Sequence, residues 1–142
     1  MVMFSTPVKK LLQKSKAILA PPDTTVVKAS KLMARKNTGA VMVTDGERLV
    51  GIFTERDAVF RVIAKGLDPA VTTLSEVMTP DPKTVEPDRS YGYALVMMHD
   101  NGFRHVPVVE NGVPIGIVSG RNALDPELEE FVFETHRRSS LT

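Results

Sequence analysis

An internal repeat constrains this chain more than any other feature. Residues 22–59 lie on residues 87–124 at a constant offset of 65, without a gap. Ten of these 38 pairs are identical, among them Pro22-Asp23 with Pro87-Asp88, Gly51-Ile52 with Gly116-Ile117, and Arg56 with Arg121. Thr54 with Ser119, Asp57 with Asn122 and Val50 with Ile115 are conservative pairs. Self-similarity at a fixed period marks a duplicated structural unit that cannot bury its apolar face alone. The chain therefore reads as two copies of one motif.

Each copy predicts the same order of elements. A short apolar stretch (Ala17-Ile18-Leu19, then Thr84-Val85) leads to Pro-Asp and a Thr or Ser suited to start a helix. Val26, Ala29, Leu32 and Met33 recur at helical spacing, as do Ala94, Met97 and Met98. Ala40 to Val43 and Val106 to Val109 are rich in β-branched residues and predict strands. Asp45-Gly46 and Asn111-Gly112 are tight-turn dipeptides, so each copy contains a hairpin returning through Leu49–Phe53 and Ile115–Val118. A helix from Thr54 to Lys65 closes the first copy at Gly66. In the second copy Asp125-Pro126 cuts that helix, and a new one with Leu128, Phe131, Val132 and Phe133 follows. Short helices at Val8–Lys14 and Leu74–Met78 introduce the two copies. The expected domains are 6–66, 73–124 and a C-terminal helix and tail at 125–142. The expected fold class is α+β, with two β-α-β-β-α units packed sheet to sheet around a pseudo-two-fold axis.

Composition removes several functions. There is no Cys, hence no disulfide framework, no thiol nucleophile and no cysteine-held zinc or iron–sulfur cluster. His99, His105 and His136 form no His-Glu-x-x-His pattern, and neither a Gly-x-Ser-x-Gly elbow nor a phosphate loop ending in Gly-Lys-Ser/Thr occurs. Ser119 lies beside Gly120, but its flanks do not suit a nucleophile. No catalytic role and no metal site is expected. A net charge of +1 gives no overall attraction to nucleic acid or anionic membrane. Lys9-Lys10, Lys14, Lys16 and Arg137-Arg138 read as solvated faces. No apolar run reaches the ~18 residues of a membrane span, and a cytoplasmic location is expected.

With its two matching heptads, Gly51-Ile52-Phe53-Thr54-Glu55-Arg56-Asp57 and Gly116-Ile117-Val118-Ser119-Gly120-Arg121-Asn122, the chain resembles a tandem pair of cystathionine β-synthase (CBS) domains, or Bateman module. The resemblance covers about residues 6 to 124. It implies a regulatory module, an energy or metabolite sensor acting through a partner protein. The ligand would be an adenosine compound (AMP, ADP, ATP, NAD or S-adenosylmethionine), held in the cleft between the halves. Thr54 and Asp57 match the ribose and phosphate contacts of one site. Ser119 and Asn122, with Arg121 between them, match those of the other. The chemistry fits: a carboxylate accepts from both ribose hydroxyls, and free N–H groups at a helix start favour an anion. A plainer reading stands beside it, because Thr54 and Asp57 also form a helix-capping pattern.

The two sites are expected to differ. Asp57 is replaced by Asn122, and neutral Thr38-Gly39-Ala40 by Phe103-Arg104-His105. Arg104 and His105 would serve the phosphate of the Asp57 site, making it the stronger one. Ile18 and Ala40 on one side, and Val85 and Pro107 on the other, would line an apolar adenine slot, or simply form core. The resemblance also implies a homodimer, for which Val59, Phe60, Val62 and Ile63 offer an apolar helix face. A ligand-free dimerisation or interaction module is the alternative. Two units of 65 leave no room for a catalytic domain, so an unknown effector protein is expected to receive the signal.

Overall fold

The structure is a computed structural model that describes residues 2–12, 17–120 and 137. The described elements run in chain order. Helix α1 spans Val2–Ser5, a 3-10 turn Val8–Leu11, β1 Leu19–Ala20, α2 Val26–Lys36, β2 Ala40–Asp45 and β3 Arg48–Thr54. Helix α3, Glu55–Asp57, continues as a π-wound segment, Ala58–Ile63. Then come α4 (Leu74–Val77), β4 (Thr79–Pro80), α5 (Tyr91–Asn101), β5 (His105–Glu110) and β6 (Val113–Ser119). Arg121, Asn122, Lys14, Lys16, His136, Arg138 and the C-terminal helix expected around Leu128, Phe131, Val132 and Phe133 lie outside the described residues.

The offset of 65 holds pair by pair in the sheets. Ala40 pairs with Thr54, and His105 with Ser119; Val43 pairs with Gly51, and Val108 with Gly116. Both hairpins carry a register shift at the same place, between Val43 and Thr44 and between Val108 and Val109. The helices repeat too. Thr25 and Ser90 cap α2 and α5 by accepting from Lys28 N and Tyr93 N, and Asn37 and Gly102 end them in the left-handed region. Asn and Gly are the residues that reach that region at least cost. Alternate burial along β6 shows one face turned to the core.

Two details differ from the expectation. The first hairpin turns at Gly46-Glu47, since Asp45 still pairs with Arg48. Gly46, with φ 64°, fills the first turn position, where a two-residue connection needs positive φ. Asp45-Gly46 is thus one residue out of register with Asn111-Gly112. The sheets are also unequal. The first has four strands in the order β1-β2-β3-β4, while the second has β5 and β6, with Val85 making a parallel bridge to Val108.

The segments that introduce the two copies are exchanged. Val8 is fully buried in the cluster of the second copy, with Tyr91, Met98, Val106 and Val118. Its N–H donates to the Arg89 carbonyl at 2.8 Å, and Pro7 bridges to Ser90. Leu74 and Val77, from the linker, are buried in the first-copy cluster with Val41, Phe53 and Val62. There the Leu74 N–H donates to the Thr24 carbonyl at 2.9 Å, and Thr73 bridges to Thr25. Each exchanged segment packs over a glycine of the return strand. A Cβ on Gly116 would stand 2.9 Å from Leu12 Cδ2, and one on Gly51 would collide with Met78 Sδ. Each apolar face is therefore covered by residues that precede the other copy. With β3 in contact with β6, this joins the halves into one body.

Candidate functional site

The first candidate site is built at the end of β3. Thr54 is extended, with φ −121° and ψ 167°, and caps α3. Its Oγ1 accepts from the Asp57 N–H at 3.3 Å, while Asp57 Oδ2 accepts from the Thr54 N–H at 2.9 Å and from its hydroxyl at 3.2 Å. This is a reciprocal capping box, and it satisfies donors that a helix start leaves unpaired. Asp57 is only 8% exposed. Its other oxygen, Oδ1, lies 3.5 Å from Arg61 Nε, one turn further along the helix. A carboxylate has about four acceptor directions. Two hydrogen bonds fall on Oδ2, and Arg61 Nε approaches Oδ1 as an ion pair, so Oδ1 keeps a direction in which to accept.

The two halves meet next to this turn. The Gly39 carbonyl accepts from the Glu55 N–H at 3.0 Å, and the Arg104 carbonyl accepts from the Gly120 N–H at 3.1 Å in the equivalent place. A Cβ on Gly39 would stand 2.9 Å from Glu55 Oε1 and 3.4 Å from His105 Nε2. Thus the strand start of the first copy, the turn after β3 and His105 of the second copy converge. Arg104 is exposed, and His105 is half-buried. Ser119, half-buried, pairs with His105, and its carbonyl accepts from the buried Tyr91 hydroxyl at 2.7 Å. Arg121 and Asn122, the remainder of the second site, lie outside the described residues.

The expected adenine-slot residues Ile18, Ala40, Val85 and Pro107 are all buried. Ile18 and Val85 belong to the two apolar clusters, so packing alone accounts for them in this state. A separate depression of about 480 Å³ opens where β1 leads into α2, lined by Leu19, Thr24, Lys28 and Leu32 among others. None of the expected site residues lines it. Among the described residues no cluster of side chains could hold a metal ion, and no helix is long and apolar enough to cross a membrane.

The motif did not point to two residues, Arg61 and Glu55. Arg61 stands four positions after Asp57, the spacing at which opposite charges meet on a helix, so that contact was readable. Glu55 meets Gly39 one step beyond the Ala40–Thr54 pair of the hairpin, whereas His105 comes close to Gly39 only because the halves pack together.

Two hairpin-bearing units with one register, mutually exchanged leading segments and a capped turn at the junction define a duplicated α+β architecture. The chain belongs to the CBS domain family, whose pattern matches residues 8–64 and 74–126. It is 44% identical over 110 residues to the CBS domain-containing protein CBSCBSPB3 of Arabidopsis thaliana, a match covering 77% of this chain. The chain spans only about a fifth of that relative, 20% of its length. A CBS domain protein from Pyrobaculum aerophilum complexed with AMP shares the fold with a TM-score of 0.75 and 26% identity, over 82% of this chain and 89% of that one. The CBS domain pair of protein MJ0100, in complex with 5′-methylthioadenosine and S-adenosyl-L-methionine, has a TM-score of 0.74 and 27% identity over 83% and 96% of the two chains. These relatives are named for their CBS domains rather than for a reaction.

Proposed function

We propose that this chain is a regulatory module that binds an adenosine-containing ligand between its two halves and signals to a partner protein. The convergence of the buried Asp57 turn, Gly39 and His105 from opposite copies carries the reading. The remaining acceptor direction of Asp57 suits a ribose hydroxyl. The cationic Arg104 and the imidazole of His105, at the strand start of the other copy, suit a phosphate. Ile18 and Ala40, or Val85 and Pro107, would shape an adenine slot after a small opening. Ser119, Arg121 and Asn122 would make a second, weaker site, because Asn122 lacks the carboxylate charge. AMP, ADP, ATP, NAD and S-adenosylmethionine are the candidate ligands; binding of AMP, S-adenosylmethionine and 5′-methylthioadenosine by the two structural neighbours supports this class. The role is regulatory, not catalytic, and a cytoplasmic location belongs to the same proposal.

Thermal melting with AMP, ATP, NAD and S-adenosylmethionine tests this reading. A ligand at 100 times its Kd stabilises the folded chain by about 2.7 kcal/mol, several degrees in Tm for a domain of this size. A flat melting temperature with all four would defeat it.

The second reading is a ligand-free interaction module, favoured by the internal satisfaction of Asp57. Val59 and Ile63 are 50% and 69% exposed, and Phe60, under the Arg56 guanidinium at 4.8 Å, is 56% exposed. Val62, expected on that face, instead fills the first core. Under both readings the chain pairs with a second copy through this helix. Sedimentation at micromolar concentration is expected to show a dimer for the wild type and a monomer for Ile63→Lys, since a buried unpaired charge opposes association. A wild-type monomer would remove the dimer from both readings.

A further inference from the structure

We infer that Arg61 is the positioning residue of the Asp57 carboxylate and couples the first-copy ligand site to the linker between the copies. This inference rests on the ligand-site reading of Asp57. One guanidinium spans two separate elements. Nε lies 3.5 Å from Asp57 Oδ1, and Nη1 donates to the carbonyls of Val77 and Met78 at 3.2 and 3.0 Å. Those carbonyls end α4, and the next residues, Thr79 and Pro80, pair with Ile52 and Gly51 of β3. Met78 itself packs over Gly51. An unbroken chain of contacts therefore runs from Thr54 through Asp57 and Arg61 to the linker, and back to the strand that carries Thr54.

The segment that carries Arg61 is wound unusually. After Asp57 the helix is π-wound, with the Ala64 N–H donating to the Val59 carbonyl at 2.8 Å and the Leu67 N–H to the Val62 carbonyl at 3.0 Å. Such segments are rare, and they recur at functional sites. Val62 remains fully buried while Arg61, its neighbour, turns to the linker. A ribose hydroxyl on the remaining direction of Oδ1 would join a charge-assisted network rather than compete with it, and such networks strengthen together. Ligand binding would then tighten the hold of Arg61 on Val77 and Met78. The device belongs to one copy only. At the offset of 65 Asp57 becomes Asn122 and Arg61 becomes Pro126, so neither the acid nor the cation is repeated.

The test uses the full chain, with AMP as the probe. Arg61→Gln is expected to bind AMP roughly tenfold more weakly, the loss of one charge-assisted contact, and Arg61→Lys to recover most of that affinity. In the wild type, AMP is expected to slow amide exchange of Met78 and Thr79 severalfold; in Arg61→Gln that slowing is lost. A purely structural role would change the melting temperature of both variants without separating their linker responses. Unchanged AMP affinity and an unchanged linker response in Arg61→Gln would overturn the inference. Asp57→Asn without nucleotide gives an independent arm: Met78 exchange should quicken severalfold, and no change there would also overturn it. If the wild type binds none of the adenosine ligands, the ligand reading fails, and the nucleotide-free arm alone decides whether Asp57 and Arg61 hold the linker.

Discussion

Leu74→Ala is expected to lower the stability of the chain by about 3 kcal/mol, within the range for truncating a buried leucine that leaves a cavity. Leu74 is fully buried and packs in the first-copy cluster, although its sequence position is in front of the second copy. Its N–H is held by the Thr24 carbonyl, so the backbone cannot easily collapse into the space. Leu67→Ala is the control. Leu67 lies in the same linker but is 41% exposed, and its truncation should cost well under half as much. Urea unfolding of the two variants is the measurement. Equal losses would mean that α4 does not belong to the first core.

Asp57→Ala is expected to weaken binding of the adenosine ligand by about tenfold to a hundredfold, as expected for losing one or two charge-assisted hydrogen bonds. The same change breaks the capping box and should cost about 1 kcal/mol of stability. Asp57→Asn separates the two effects. An amide oxygen still accepts from the Thr54 N–H, so the cap largely survives, while the charge seen by a ribose and by Arg61 is lost. Calorimetric titration should therefore place Asp57→Asn near Asp57→Ala in affinity, and urea unfolding should place it near the wild type in stability. An Asp57→Ala chain that binds AMP like the wild type would remove Asp57 from the site.

Local chemistry made much of the fold readable. The cap positions Thr25 and Ser90, the left-handed Gly66 and the presence of two hairpins follow from residue types within a few positions of each other. The candidate site was readable to the same depth. Thr54 and Asp57 interact across three residues, and a helix start brings them together whatever the rest of the chain does. The two meanings of that pattern, cap and ligand contact, are not separable from sequence, because both use the same oxygen and N–H groups. The capping meaning is visible in the structure; the ligand contact is what Asp57→Asn tests.

The sequence by itself determined the duplication, its offset of 65 and the presence of both hairpins, since periodicity and turn chemistry act between near neighbours; the first turn lies one residue beyond the Asp45-Gly46 dipeptide that marked it. Only the tertiary structure decided which segment covers which sheet. Val8 crosses to the second copy and Leu74 to the first, a choice between alternatives with the same local pattern. The same long-range packing brings His105 close to Gly39, and Arg61 against Val77 and Met78. Apolar burial is non-directional, so a leucine in a linker carries no mark of the core it will fill. That mark is made by the backbone hydrogen bonds and the glycine-sized spaces over Gly51 and Gly116, which exist once the two halves have closed.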